Sequence, residues 1–244
     1  MLLLTRSQVD IYYIHAPDRV NPIEPTLAAV NELYKAGKLK RFGLSNFRAD
    51  EVDEVIRIGK QHNYVLPSVY QGNYSAVARL TEKELFPTLR KYNIAFYAYS
   101  PIAGGFLTKS PKQLIDGGQG RWDPSNFLGQ LYGTLYKKPA MLKALEIWGE
   151  IAKDLGISKA ELAYRWVAFN SHIDGELGDA IIIGARTIEQ LKETIAGLRN
   201  GPLSEEAVGK IDELWKTIEH ESPLDNYNSY ISLQQESAAV KSGA

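Results

Sequence analysis

The chain has 244 residues, 44% of them hydrophobic and 23% charged, with a formal net charge of -1 and no cysteine. This composition belongs to a folded globular protein with enough chain to bury one large core, and it offers no basic footprint for nucleic acid or an acidic membrane. Without cysteine there is neither a disulfide nor a thiolate metal site, which fits a cytoplasmic setting, and no segment approaches the roughly 18 apolar residues of a membrane span.

In chain order, Met1-Leu2-Leu3-Leu4 is too short for the apolar core of a signal peptide and meets Thr5-Arg6-Ser7-Gln8 at once; it is placed to fold back over a sheet edge. Val9 to Ala16 (VDIYYIHA) reads as a strand. Pro25 to Lys38 follows as a helix with Leu27, Val30, Leu33 and Tyr34 on one face. Arg41 to Asn46 is the next strand, Ala49 to Gly59 a helix carrying Val52, Val55 and Ile56, and Pro67 to Tyr74 a strand. A helix is expected over Thr81 to Tyr92 and a buried strand over Ile94 to Ser100. Lys109 to Lys138, rich in Gly, Pro and Tyr, reads as one long loop. Helices are predicted over Pro139 to Leu155 and Ser158 to Phe169, a strand over Ala180 to Ala185, and helices over Thr187 to Leu198 and Ser204 to Ile218. Ser158 ahead of Glu161, and Ser204 ahead of Glu205 and Glu206, mark helix starts.

Strands alternating with helices imply right-handed βαβ units around a parallel sheet, and with no linker in sight residues 1–244 are expected to form a single domain. A doubly wound dinucleotide fold would show G-x-G-x-x-G after its first strand, and the sequence has none. A (β/α)8 barrel instead gathers its chemistry at the carboxyl ends of its strands. There the polar residues collect: His15, Ser45 and Asn46, Gln71 and Asn73, Tyr99 and Ser100, and Gly184 to Thr187. The segment IAFYAYSPIAGGFL adds a buried strand that ends in small residues, a device for laying backbone N–H groups against a phosphate. The expected fold is therefore α/β of the (β/α)8 TIM-barrel type, incomplete, with about five strands. His62, His172 and His220 lack metal-ligand spacing, and no metal is expected.

The blocks YYIHAPD, PIEPTLAAVNELYKAGKLKRFGLSNF, LPSVYQGNYSAVARLTEKELFPTLRKYNIAFYAYSPIAGGFL and IIIGARTIEQLKET resemble the aldo-keto reductases, most nearly the aflatoxin-aldehyde (succinic semialdehyde) reductase branch. The resemblance implies an NADP(H)-dependent (β/α)8 barrel that reduces aldehydes and ketones to alcohols by hydride transfer. It implies that the nicotinamide stacks on Tyr99 and that Ser45, Asn46 and Gln71 hold its carboxamide. Ser100, Ile102, Gly104 and Leu107 would form the pyrophosphate loop, and Gly184, Arg186, Gln190, Glu193 and Thr194 the adenosine end. Thr194 departs from the family's usual Asn and has a shorter reach toward adenine.

Of the family's catalytic Asp, Tyr, Lys and His, only His15 finds a match. The resemblance thus implies a chain that starts just before the fourth barrel strand, with the first three strands missing and its open edges able to pair with a second copy. Family-like reduction is the first functional expectation. An NADP(H)-binding pseudoenzyme or a regulatory or interaction protein without turnover is the alternative. Arg121 and Trp122 are further candidates for substrate contact.

Overall fold

The structure is a computed structural model and describes residues 8–117 and 120–242, so the expectation for Met1 to Leu4 lies outside the described residues. The described residues fall into two compact units: those within Met1–Gly72, Glu82–Tyr97 and Glu176–Asp179, and those within Asn73–Thr81, Ala98–Gly175 and Ala180–Ala244. The strands are β1 (Val9–Ile14), β2 (Leu39–Ser45), β3 (Pro67–Asn73), β4 (Ala95–Tyr99) and β5 (Ala180–Ile181), in the sheet order β1-β2-β3-β4-β5. The architecture is α/β, and strand order follows chain order, as when each strand pairs beside the one before it.

In the first unit, β1 and β2 pair in parallel with Tyr13 opposite Gly43 and Ile14 opposite Leu44, and β2 and β3 in parallel with Ser45 opposite Gln71. This register brings the carboxyl ends of the three strands level. Gly43 is required here, because a Cβ would stand 2.6 Å from the Tyr13 ring. Helices α1 (Glu24–Lys35) and α2 (Ala49–His62) bury Leu27, Val30, Val52, Val55 and Ile56, and β2 buries Phe42 and Leu44. Helix α2 starts where the Glu51 carboxylate accepts the Arg48 N–H at 2.7 Å, and it ends at Asn63 in the left-handed region, φ 55°.

The predicted helix over Thr81 to Tyr92 is two pieces, α3 (Thr81–Glu84) and α4 (Phe86–Lys91). Pro87 has no N–H to continue the first piece and instead starts the second. Behind α4, Phe96 lies parallel to Tyr70 with centroids 5.9 Å apart and edge-on to Phe86 at 4.8 Å.

In the second unit the segment expected as one long loop is largely helical. It holds α5 (Pro111–Ile115), a 3-10 turn (Gly120–Trp122) and α6 (Phe127–Tyr136). Ser110 and Gln113 form a capping box around Pro111, and the Asn126 side chain accepts the Gly129 N–H at 2.9 Å. What makes the segment fold is aromatic burial: Trp122, Tyr132 and Tyr136 close on Phe106, with Trp122 edge-on to Tyr132 at 5.5 Å and Tyr136 stacked on Phe106 at 5.3 Å.

Helices α7 (Pro139–Asp154), α8 (Lys159–Arg165), α9 (Ile188–Leu198), α10 (Glu205–Ile218) and α11 (Asn226–Ser242) complete this unit. Ser158 and Ser204 cap α8 and α10 as expected. The helix predicted to Phe169 leaves α-geometry at Trp166 and finishes as a π turn, Trp166–Asn170. Arg79 lies over the Trp166 ring at 4.9 Å and the Trp215 ring at 5.5 Å while bonding Asp212 at 2.7 Å. The predicted strand Ala180 to Ala185 shrinks to Ala180–Ile181, although the Ile182 N–H still donates to the Ala98 carbonyl at 2.8 Å. Helix α11 was not expected, because its sequence carries no apolar stripe at helical spacing.

Candidate functional site

In the first unit the predicted residues meet at the strand tips. Asn46 follows β2 with φ 63°, a left-handed conformation that Asn tolerates better than most residues. This bend turns its side chain back to donate to the His15 carbonyl at 2.7 Å and to the Ser45 hydroxyl at 3.2 Å. Ser45 and Asn46 are both buried. Gln71 is half-buried and hydrogen-bonds the Tyr13 hydroxyl, whose pKa burial raises against the lowering effect of that bond. The structure therefore brings His15, Ser45, Asn46 and Gln71 together. It is the His15 backbone that is held; the imidazole is exposed, and among the described residues it has no hydrogen-bond partner.

In the second unit Tyr99 ends β4 and the chain turns sharply. Ser100 (φ 58°), Ala103 (φ 50°), Gly104 (φ 64°) and Gly105 (φ 96°) all adopt left-handed conformations, and residues 103–108 wind into a 3-10 turn. Such a run is costly for Ser and Ala, about 1–2 kcal/mol each, and persists only where its surroundings hold it. They do so through the carbonyls. The Ser100 carbonyl accepts from Ala103 at 2.7 Å, that of Ile102 from Gly105 at 2.9 Å, that of Gly104 from the Trp122 indole at 3.1 Å and that of Gly105 from Thr108 at 2.8 Å. The Phe106 carbonyl accepts from Lys109 at 3.1 Å, and the Lys109 carbonyl accepts from Lys159 Nζ at 2.7 Å. Within the loop the N–H groups of Ala103, Gly105, Leu107 and Lys109 are thereby committed to its own carbonyls.

Two details refine the predicted roles. The space that Gly104 leaves is filled by the Tyr132 ring, so this glycine is needed for packing as well as for its φ. Leu107 is fully buried, so its side chain is core, and its N–H donates to the Ile102 carbonyl at 3.3 Å. Trp122 is likewise buried and bonded to the loop, which makes it a support; Arg121 is exposed, over the Tyr132 ring at 5.4 Å.

Around Tyr99 the environment is apolar and acidic. Burial, then the Asp225 carboxylate, pushes its phenol pKa up, against a hydrogen bond from the Asn226 backbone. Tyr136 is pushed up by burial as well, with Asn73 lying beside its hydroxyl; neither the Tyr136 oxygen nor the Asn73 amide closes a hydrogen bond of normal geometry.

At the other end of this unit, Thr187 caps α9 by accepting the Gln190 N–H at 3.2 Å, and the Gln190 side chain accepts the Arg186 N–H at 3.0 Å. Gly184, Arg186, Gln190 and Glu193 are exposed, and Thr194 is half-buried. Among the described residues no carboxylate pairs with the Arg186 guanidinium. Residue patterning did not single out Lys159, because a lysine one place after a helix cap looks like any solvated residue. Among the described residues no cluster of three or more His, Asp or Glu is arranged to hold a metal ion, and no helix is long and apolar enough to cross a membrane.

The family model described as "Aldo/keto reductase family" matches residues 3–216. Among known proteins, the chain is 41% identical over 217 residues to the oxidoreductase sirO of Leptosphaeria maculans, covering 89% of this chain and 66% of that protein. It is 40% identical over 218 residues to an aldo-keto reductase of Pseudocercospora fijiensis, covering 88% of this chain and 73% of the relative. Human aflatoxin B1 aldehyde reductase member 4 is 37% identical over 228 residues, covering 88% of this chain and 67% of the relative. The chain thus spans about two thirds of the length of two of these relatives and somewhat more of the third. The expectation that it starts just before the fourth barrel strand, with three strands missing, is overturned by the family match, which begins at residue 3. The chain belongs to the aldo/keto reductase family.

Proposed function

We propose that this chain binds NADP(H) and, in the manner of its family, reduces small aldehydes or ketones to alcohols as a single (β/α)-barrel-type domain over residues 1–244. The observation that carries the reading is the loop after Tyr99, whose left-handed residues at 100 and 103–105 turn the backbone sharply at the end of a strand and are held by the Trp122 indole and by bonds within the loop. Each unit by itself offers groups the cofactor could use: in the first, Ser45, Asn46 and Gln71 have side chains of the kind that meet a carboxamide; in the second, the 100–107 backbone would meet a pyrophosphate and Arg186, unpaired with any carboxylate among the described residues, a 2′-phosphate. Gln190, Glu193 and Thr194 would take the adenosine, Thr194 with the shortest reach. When bound, the cofactor supplies hydride to a carbonyl carbon.

The chain's own residues would bind and orient. Asn46 fixes the His15 backbone, which sets where the exposed imidazole can meet a carbonyl oxygen. That only His15 of the family's catalytic Asp, Tyr, Lys and His finds a match in the sequence favours a second reading, an NADP(H)-binding protein without turnover. The proposal extends to a cytoplasmic protein whose sheet edges, β1 and β5, pair with a second copy.

Titration with NADPH, followed by the cofactor's fluorescence, tests the central reading: saturable binding tighter for NADPH than for NADH supports it, and no binding rejects it. Steady-state oxidation of NADPH by 4-nitrobenzaldehyde then separates the two readings, since binding without oxidation leaves only the second. Light scattering on a sizing column decides the pairing of copies.

A further inference from the structure

Helix α8 joins the two ends of the second unit's cofactor region. Lys159 opens this helix, and its ammonium donates to the Lys109 carbonyl that closes the 100–109 loop. The lysine stem reaches there because Gly149 of α7 has no side chain; a Cβ at Gly149 would lie 3.1 Å from Lys159 Cε. Partial burial lowers the pKa of this lysine, because desolvation penalises the charged ammonium.

From the same helix, the buried Tyr164 donates to the Gly184 carbonyl at 3.4 Å, at the start of the Arg186 turn. Glu161 packs under Gly197 of α9 and accepts from Asn200 at 2.9 Å, while Arg165 donates to the Gly201 carbonyl at 2.8 Å. One rigid element therefore grips the loop suited to a pyrophosphate and, within two helical turns, the turn suited to a 2′-phosphate.

We propose that α8 is the spacer that sets the separation of these two anion subsites, with Lys159 and Tyr164 as positioning residues that touch no ligand themselves. The inference rests on the NADP(H) reading and adds to it the residues that hold the site to the length of a dinucleotide. Preorganisation of this kind shows as affinity, because a loop already ordered loses less freedom on binding.

The test uses the full chain and its Lys159→Met, Lys159→Arg and Tyr164→Phe variants. Affinity for NADPH and for 2′,5′-ADP is measured by titration, and backbone hydrogen exchange is followed without ligand. Lys159→Met is expected to weaken NADPH binding about 3- to 10-fold, the worth of one charge-assisted hydrogen bond, and to speed exchange across residues 100–109. Lys159→Arg, which keeps a donor, restores both. Tyr164→Phe is expected to weaken 2′,5′-ADP binding by a smaller factor and to speed exchange around Gly184, leaving the 100–109 loop unchanged.

Variants that bind both ligands like the unaltered chain, with unaltered loop exchange, overturn the spacer role while leaving the cofactor reading intact. An unaltered chain that binds neither ligand overturns the cofactor reading and the spacer with it. Should Lys159→Met fail to fold, Tyr164→Phe, which removes a single oxygen, carries the decision.

Discussion

Gly104 shows how much one residue can be asked to do. It needs a left-handed backbone (φ 64°), and the ring of Tyr132 occupies the place of its missing side chain. Gly104→Ala therefore combines a conformational cost of about 1–2 kcal/mol with overpacking of about 1–3 kcal/mol, and thermal unfolding should move down by several degrees. A melting temperature unchanged from the parent would show that the loop simply relaxes.

A second prediction at this scale concerns alkali. Burial raises the phenol pKa of both Tyr99 and Tyr136 above the unfolded value of about 10. The folded state thus favours the protonated phenols; this contribution is fully present below about pH 10 and is lost as the pH rises through the folded pKa values. Tyr136→Phe removes one such titration together with a hydroxyl that has no hydrogen-bond partner, so its alkaline unfolding midpoint, followed by far-UV circular dichroism, should rise. A midpoint that stays put or falls would mean that this hydroxyl contributes a bond in solution.

Elements in this chain are fixed by a few polar anchors as much as by apolar faces. The buried Asp179 carboxylate accepts from Arg90 at 2.9 Å and from the Phe96 N–H at 2.7 Å, and so fastens the Glu176–Asp179 segment to α4 and β4 within the first unit. Asp179→Ala leaves a guanidinium and a buried N–H without their acceptor, and chemical denaturation should report a loss of about 3–5 kcal/mol. A loss below about 1 kcal/mol would show that water replaces the carboxylate.

The elements read best from sequence are those with a local signal. Helices α2, α7 and α10 carry apolar residues at helical spacing, and Ser158 and Ser204 cap where they were expected to. Residues 109–138 look like a loop because Gly, Pro and Tyr are loop-like on average, whereas the segment folds through Trp122 and Tyr136 on Phe106, 16 and 30 positions away, and Tyr132 on Trp122. Pro87 should have divided the predicted helix over Thr81 to Tyr92, and in the structure it does.

At the scale of the whole molecule, the family reading predicts linkage between cofactor and stability. NADPH at about one hundred times its dissociation constant should add about 2.7 kcal/mol to unfolding, visible as a higher melting temperature that rises with concentration. NADH at the same concentration should add less, since Arg186 would have no 2′-phosphate to meet. Equal shifts from the two cofactors would remove Arg186 from its assigned role.

The sequence by itself determined the alternation of strands and helices, the absence of a glycine fingerprint for a doubly wound fold, and the membership of the family. These depend on local patterns and on ordered blocks of residues, which survive without coordinates. It also named the tips where His15, Ser45, Asn46, Gln71, Tyr99 and Arg186 stand. Only the tertiary structure decided what holds those tips in place. The turn of Asn46 onto the His15 carbonyl, the Tyr132 ring in the space left by Gly104, and the reach of Lys159 to the Lys109 carbonyl all join residues that are 28 to 50 positions apart. Such contacts depend on how whole elements pack, and no periodicity within a single segment encodes them.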